Sequence, residues 1–312
     1  MGERFFQKLS NRENLKKSPV FVFAADHLAG VGIHGLGQSG SSYRTHPEFV
    51  QLIRDIVKQE MVDAVLMTPA DAELLASMEC LFQESPVTPL VRMNAETGIW
   101  SPRYGRYRAA PSVPFQTVPP GETGWCDSLI RTATGTCCVK AGLYSITLNN
   151  KVAADHRTMS AYLTFAREVG KTENFHHILE VFPPNVKLPD MDQEEVASYT
   201  ADSIVRIMNH LTRKQRPLLI KTQYLSAAIW KELTGFDPEL VIGALGGSYK
   251  NAETTLDLAH RVIRDGGGAV LFGRPVFMEK DPPGLCRAIR AVIDGEMSPA
   301  QALDTYWKGL KD

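Results

Sequence analysis

A chain of 312 residues has room for two ordinary domains or for one large α/β barrel, a fold that commonly uses about 250 residues. Its 34 basic and 35 acidic side chains leave a formal net charge of −1, and 44% of its residues are hydrophobic; this excludes a global basic field that would gather nucleic acid or anionic membrane. The cysteines, Cys80, Cys126, Cys137, Cys138 and Cys286, are odd in number and lack paired metal-site spacing, and Met1 to Pro19 offers no apolar core of signal-peptide length, so a cytoplasmic protein with reduced thiols and no membrane span is expected.

In chain order the pattern is strand, loop, helix, repeated. Val20 to Ala25 is an apolar run that stops at Asp26-His27. After a glycine-rich loop, the spacing of Phe49, Leu52, Ile53, Ile56 and Val57 predicts a helix over 46–60 capped by Thr45. Ala64 to Met67 is the second strand, and Thr68-Pro69 opens a helix through Leu81. Val87 to Met93 is the third strand. Cys137 to Leu148, His177 to Phe182, Pro217 to Tyr224, Leu240 to Leu245 and Ala269 to Phe272 continue the series. They alternate with helices predicted near 155–169, 194–211, 226–233 and 252–264, and amphipathic stretches at 284–293 and 299–310 close the chain.

Eight strands, each followed by a loop or helix, predict a (β/α)8 TIM barrel. It is expected as a single domain over 19–312, with 1–18 as an N-terminal extension. Residues 94–131 are rich in Gly, Pro, Arg and Tyr without a helical period, and predict an active-site loop inserted after strand three.

The sixth strand carries the sharpest anomaly. Its apolar run ends in Lys221, with Tyr224 three residues on, and a strand buried on both faces has no packing use for an ammonium group. Taken alone, such a lysine has a plain reading, a packed stem with its head in solvent or on a carboxylate. At the C-terminal end of a barrel strand it points to the mouth, where desolvation favours the neutral amine and the amine attacks carbonyl carbon. Other strand ends deliver Asp26 and His27, Asn94 and Glu180 to the same mouth. Asp26, Glu180 and Tyr224 are candidates for the proton transfers that carbinolamine chemistry needs. Each carboxylate also reads as an ion-pair partner for a barrel cation.

Gly246, Gly247 and Ser248 after strand seven, with Gly273 and Arg274 after strand eight, predict a phosphate site of exposed backbone N–H groups, a helix start and a guanidinium clamp. Arg103 and Arg106, interleaved with tyrosines in the long loop, read as a solvated turn or as a lid that reaches the substrate. His27, His34 and His46 are spread through one loop, and His176-His177 fall at the foot of strand five. None has ligand spacing, so neither a metal nor another cofactor is expected.

At these residues the chain resembles the DeoC/LacD superfamily of class I (Schiff-base) aldolases, in its archaeal-type fructose-bisphosphate aldolase branch. Phe23-Ala24-Ala25-Asp26-His27 is similar to the first-strand motif with its active-site aspartate, and Ile220-Lys221-Thr222-Gln223-Tyr224 to the sixth-strand motif whose lysine forms the Schiff base. Leu245-Gly246-Gly247-Ser248 and Phe272-Gly273-Arg274-Pro275 resemble the phosphate-binding turns, and Asp281-Pro282 with Ala288-Ile289 continue the likeness. Two departures stand out. Where the branch ends strand five in a tyrosine before proline, this chain has Phe182 before Pro183, and Glu180 is similar in placement to the strand-five glutamate of the tagatose-bisphosphate aldolase relatives. Leu28 replaces a glycine that many relatives carry. The resemblance implies a homo-oligomeric lyase that forms or cleaves a carbon–carbon bond of a small phosphorylated keto or sugar substrate through a lysine Schiff base. The same branch implies an alternative, lysine-dependent acyl transfer of the thiolase kind on a phosphorylated diketone. The missing tyrosine leaves a third, a phosphosugar-binding barrel without catalysis.

Overall fold

The computed structural model describes residues 3–39, 41–94, 101–115, 139–172 and 174–310. Eight parallel strands close a TIM barrel: β1 (Val20–Ala24), β2 (Ala64–Met67), β3 (Thr88–Arg92), β4 (Ala141–Thr147), β5 (His176–Phe182), β6 (Leu219–Thr222), β7 (Ile242–Leu245) and β8 (Ala269–Phe272). Each pairs with its sequence neighbours, and β8 returns to β1 with Val20 beside Ala269 and Phe23 beside Phe272. The helices are α1 (Arg4–Ser10), α2 (His46–Gln59), α3 (Pro69–Ala72), α4 (Val152–Val169), α5 (Gln193–Met208), α6 (Ala227–Phe236), α7 (Ala252–Arg264), α8 (Arg274–Phe277), α9 (Pro282–Ile293) and α10 (Pro299–Gly309). Among the described residues no helix is long and apolar enough to cross a membrane.

Strand parity sorts the apolar side chains into two cores, because successive residues of a strand face opposite sides of the sheet. Val20 and Val22 of β1, Leu90, Leu143, Ile178 and Leu219 fill the barrel interior. Phe21 and Phe23 of β1, Tyr144, Leu179 and Ile220 face the helical layer. The near-continuous apolar runs of the sequence are thus strands buried on both sides.

Local chemistry sets several boundaries away from the apolar runs. β6 spans Leu219–Thr222 and omits Pro217, which has no N–H to give to a ladder. β4 begins at Ala141; Cys137 and Cys138 lie outside the described residues. The helix expected near 155 starts at Val152, because Asp155 in its first turn accepts from the backbone N–H groups of Asn149 at 2.7 Å and Lys151 at 2.8 Å. After the single turn of α3, capped by Thr68, the chain winds as a π-helix over Glu73–Met78. Thr45 caps α2 as expected and forms a capping box with Glu48.

The first residues are more than an appendage. α1 lies under the barrel and inserts Phe5 and Leu9 into the interior core, with Leu15 beside them. Arg4 and Lys8 both pair with the buried Asp63, each at 3.0 Å, and Arg290 of α9 reaches the same carboxylate at 2.7 Å. The Asp63 carboxylate also accepts from the Phe21 N–H at 2.8 Å, so its charge is met from three sides and tied to β1. The interior core is thus closed at its lower end by α1.

Candidate active site

Parity carries the polar residues to the C-terminal ends of the strands. On β1, Val22 and Ala24 face inward, so Asp26, two residues on, faces the mouth. The same count leads from Leu90 to Arg92 on β3, Leu143 to Ser145 on β4, Ile178 to Glu180 on β5 and Leu219 to Lys221 on β6. Register places Ser145 beside Glu180 and Glu180 beside Lys221. Asp26, Ser145, Glu180 and Lys221 are buried, and Arg92 is nearly so.

Lys221 Nζ lies 2.6 Å from Glu180 Oε1. The other carboxylate oxygen of Glu180 accepts from Ser145 Oγ at 2.6 Å. Arg92 completes the set. Its Nη1 donates to Asp26 Oδ2 at 2.6 Å and lies 3.4 Å from Glu180 Oε2, while Nη2 donates to Ser145 Oγ at 2.8 Å. Two cations and two anions balance inside a space where an unpaired charge would be costly. The structure therefore brings together Lys221, Glu180 and Asp26, and adds Arg92 and Ser145, which sequence reasoning missed. Arg92 had left a signal, for an arginine between Val91 and Met93 at the end of an apolar strand is the same anomaly as Lys221.

The electrostatics follow from that packing. Burial alone would push the Asp26 carboxyl up, but the charges of Arg92 and Lys221 outweigh it and hold the group below its ordinary value. His27, next in sequence, is brought down to about 4 by burial first and by the nearby Arg274 charge second, so its imidazole is neutral at neutral pH. Its ring lies 5.8 Å from that of Phe277 in α8.

The glycine turns also come together. Gly246 lies so close to the turn after β8 that a Cβ there would sit 2.6 Å from Pro275 Cγ. Gly273 passes against β1, where a Cβ would lie 2.4 Å from the backbone oxygen of Ala24. Gly247 is partly open to solvent, and Ser248 and Arg274 are exposed at the same rim.

Four expected site residues are turned to other partners or to solvent. Tyr224 turns into the helical layer: its hydroxyl donates to Asp265 Oδ2 at 2.6 Å, its ring packs on Trp230, and the Arg261 guanidinium lies over it. Asn94 is fully buried and spends its amide on β4, donating to Ser145 O at 2.8 Å and accepting from Ser145 N–H at 2.7 Å; it extends the strand ladder instead of facing a substrate. Arg103 lies over the Tyr43 ring at 5.8 Å, and both it and Arg106 are exposed.

Of the long loop after β3, residues 101–115 are described and the rest of 95–131 is not. The described part is moored to the mouth by Asn185, which follows β5. Asn185 Nδ2 donates to the backbone oxygens of Tyr107 and Ala110, and its Oδ1 accepts from Ser112 N–H at 3.0 Å. Asn149, after β4, braces it in turn, donating to Asn185 Oδ1 at 2.8 Å. Tyr107 thereby comes within electrostatic reach of Arg274. Among the described residues no three His, Cys, Asp or Glu side chains are grouped to hold a metal ion; His46 instead meets Asp71 at 2.6 Å.

No protein-family model matches the chain, and no curated protein matches it in sequence. Solved structures do. An archaeal fructose 1,6-bisphosphate aldolase has a TM-score of 0.65 at 14% identity, over 92% of this chain and 99% of its own. A Schiff base forming fructose-1,6-bisphosphate aldolase, studied through its reaction intermediates, has a TM-score of 0.65 at 16% identity over 91% and 99%. The fructose-bisphosphate aldolase from Slackia heliotrinireducens DSM 20476 reaches 0.66 at 12% identity over 97% and 91%. The fold is that of these aldolases.

Proposed function

We propose that this protein is a class I aldolase-type carbon–carbon lyase that acts on a small phosphorylated carbonyl compound through a Schiff base at Lys221. The observation that carries the reading is the buried contact of Lys221 Nζ with Glu180 Oε1 at 2.6 Å on adjacent strands of an aldolase-like barrel.

The chemistry balances with these two residues. Glu180 takes a proton from the lysine ammonium, and the freed amine pair forms a bond to the carbonyl carbon. The carbonyl oxygen, now carrying the displaced electron pair, takes the proton from Glu180, and the nitrogen returns one to it. The carbinolamine then expels its hydroxyl as water with that proton, which leaves an iminium and an ionised Glu180. The iminium draws in the electron pair of the adjacent carbon–carbon bond as it breaks, while a carboxylate accepts the proton of the departing alcohol; Glu180 and Asp26 are the two at hand. Catalysis of the reverse direction uses the same groups.

The phosphate of such a substrate would rest on Gly246, Gly247, Ser248 and Gly273, with Arg274 as its clamp, since the two turns pack against each other at the rim above the lysine. Neutral His27, next to Asp26 in sequence and within reach of the Arg274 charge, suits a hydroxyl contact with the sugar chain.

Borohydride reduction in the presence of a panel of phosphorylated ketones and aldehydes tests the assignment. A stable mass increase on the Lys221 peptide is expected, with turnover abolished in a folded Lys221→Met variant. Absence of any adduct across the panel, or full activity in the variant, would overturn it.

A further inference from the structure

Arg92 is a nearly buried cation that neither the lysine chemistry nor the phosphate turns require. Its fork is used on every side: Nη1 on Asp26 at 2.6 Å, Nη2 on Ser145 Oγ at 2.8 Å, Nε on the Asn94 backbone oxygen at 2.6 Å. A planar guanidinium held at three positions cannot turn toward one carboxylate without releasing the others. It does not treat the two carboxylates alike. Asp26 is bound at full hydrogen-bond strength, whereas Glu180 lies 3.4 Å away and gives one oxygen to Ser145 and the other to Lys221.

We propose that Arg92 is the positioning residue that divides the work of the two carboxylates, fixing Asp26 as a standing anion beside the Schiff base and leaving Glu180 as the group that exchanges protons with Lys221. This rests on the Schiff-base reading above. Asp26 faces Arg92 from β3, Lys221 from β6 and its own neighbour His27. Glu180 faces Lys221, Ser145 and Arg92, with the Arg274 charge beyond. Arg92 is thus the group that touches both acids, and its asymmetric grip separates their roles. Asp26 then has one task, to offset the positive charge of the iminium without taking a proton.

The test combines two readouts on the wild-type protein, Arg92→Lys and Arg92→Gln. The first is the titration of the 13C-labelled Asp26 carboxyl by NMR, assigned with Asp26→Asn. The second is the pH profile of cyanoborohydride trapping of dihydroxyacetone phosphate at Lys221, read by peptide mass. In Arg92→Gln the Asp26 titration is expected to rise by about one pH unit or more, and the acid limb of trapping to move up with it. Arg92→Lys keeps the charge and loses the fork, so its limb stays near the wild-type position while trapping slows about tenfold. A purely structural arginine would lower trapping by one factor at every pH and leave the limb in place, which would overturn the proposal. So would an Asp26 carboxyl that titrates at or above the ordinary range in the wild-type protein, a result that depends on no variant folding. Failure of the wild-type protein to be trapped counts against the Schiff-base reading, and the Asp26 titration still decides the role of Arg92.

Discussion

Glu180 accepts from the lysine with one oxygen and from Ser145 with the other, and its amide counterpart keeps the shape but can accept at only one of the two positions and carries neither the charge nor the proton. Glu180→Gln is therefore expected to slow adduct formation at Lys221 about a hundredfold or more, with an unchanged far-UV circular dichroism spectrum and a lowered urea midpoint, because Lys221 and Arg92 lose one of their two buried counter-charges. A rate within tenfold of wild type would show that another base serves the amine. The sequence made Lys221, Glu180 and Asp26 visible for one reason: each is a charge at the end of an otherwise apolar strand. Arg92 meets the same criterion and escaped because the run through Met93 was read as uninterrupted. Tyr224 was misplaced for a reason that arithmetic exposes. A residue three places beyond Lys221 has the opposite parity, and the structure indeed sends it outward to Asp265 and Trp230. Asn94 faces inward and still falls short of a site role, because a buried amide at a strand end is first consumed by the ladder beside it.

At the scale of elements, the strand order was legible because doubly buried strands are written as apolar runs, and the helices because their apolar residues recur at helical spacing. α1 was not, since seven residues interleaved with arginine and lysine resemble a solvated tail. Its apolar members Phe5 and Leu9 are four apart, one face of a helix, and that face closes the barrel floor. Phe5 is fully buried, stacks edge-on against Phe6 with ring centroids 5.4 Å apart, and its N–H donates to Thr88 Oγ1 at 3.3 Å. Phe5→Ala would leave a cavity at the base of the interior core, at a cost of about 3–5 kcal/mol in unfolding free energy. Urea denaturation measures it; a loss under about 1 kcal/mol would mean that the floor is held by the ion pairs at Asp63 alone. The mooring of residues 101–115 through Asn185 belongs to the same scale and was also invisible, since one asparagine gathers partners from both the β3 and β4 loops.

The whole molecule buries titratable groups at both ends of the barrel and in its outer layer, and that gives stability a definite pH dependence. His177, on the outward face of β5, is enclosed by Phe165 and by Tyr162, whose hydroxyl lies 3.0 Å from Nε2; burial, with a smaller push from His176, lowers it to about 3. The folded protein therefore keeps this imidazole neutral while the unfolded chain takes up a proton near pH 6.5. Because the unfolded state binds the extra proton, its stabilising share is complete above that value and declines as pH falls toward 3. Between pH 7 and 5 the decline amounts to roughly 2 kcal/mol for His177, and His27 at the mouth acts in the same direction. Asp26 does not interfere. Its carboxyl is depressed, so the stability it contributes is lost only below the ordinary carboxylate range, at about pH 4 and under. Urea unfolding at pH 7, 6 and 5 should show a steady fall for the wild-type protein. His177→Gln, which retains a hydrogen-bonding group for Tyr162, should show a shallower fall by about the His177 share; an equal slope in both proteins would mean that His177 is protonated in the folded state and that the outer layer opens to admit the charge.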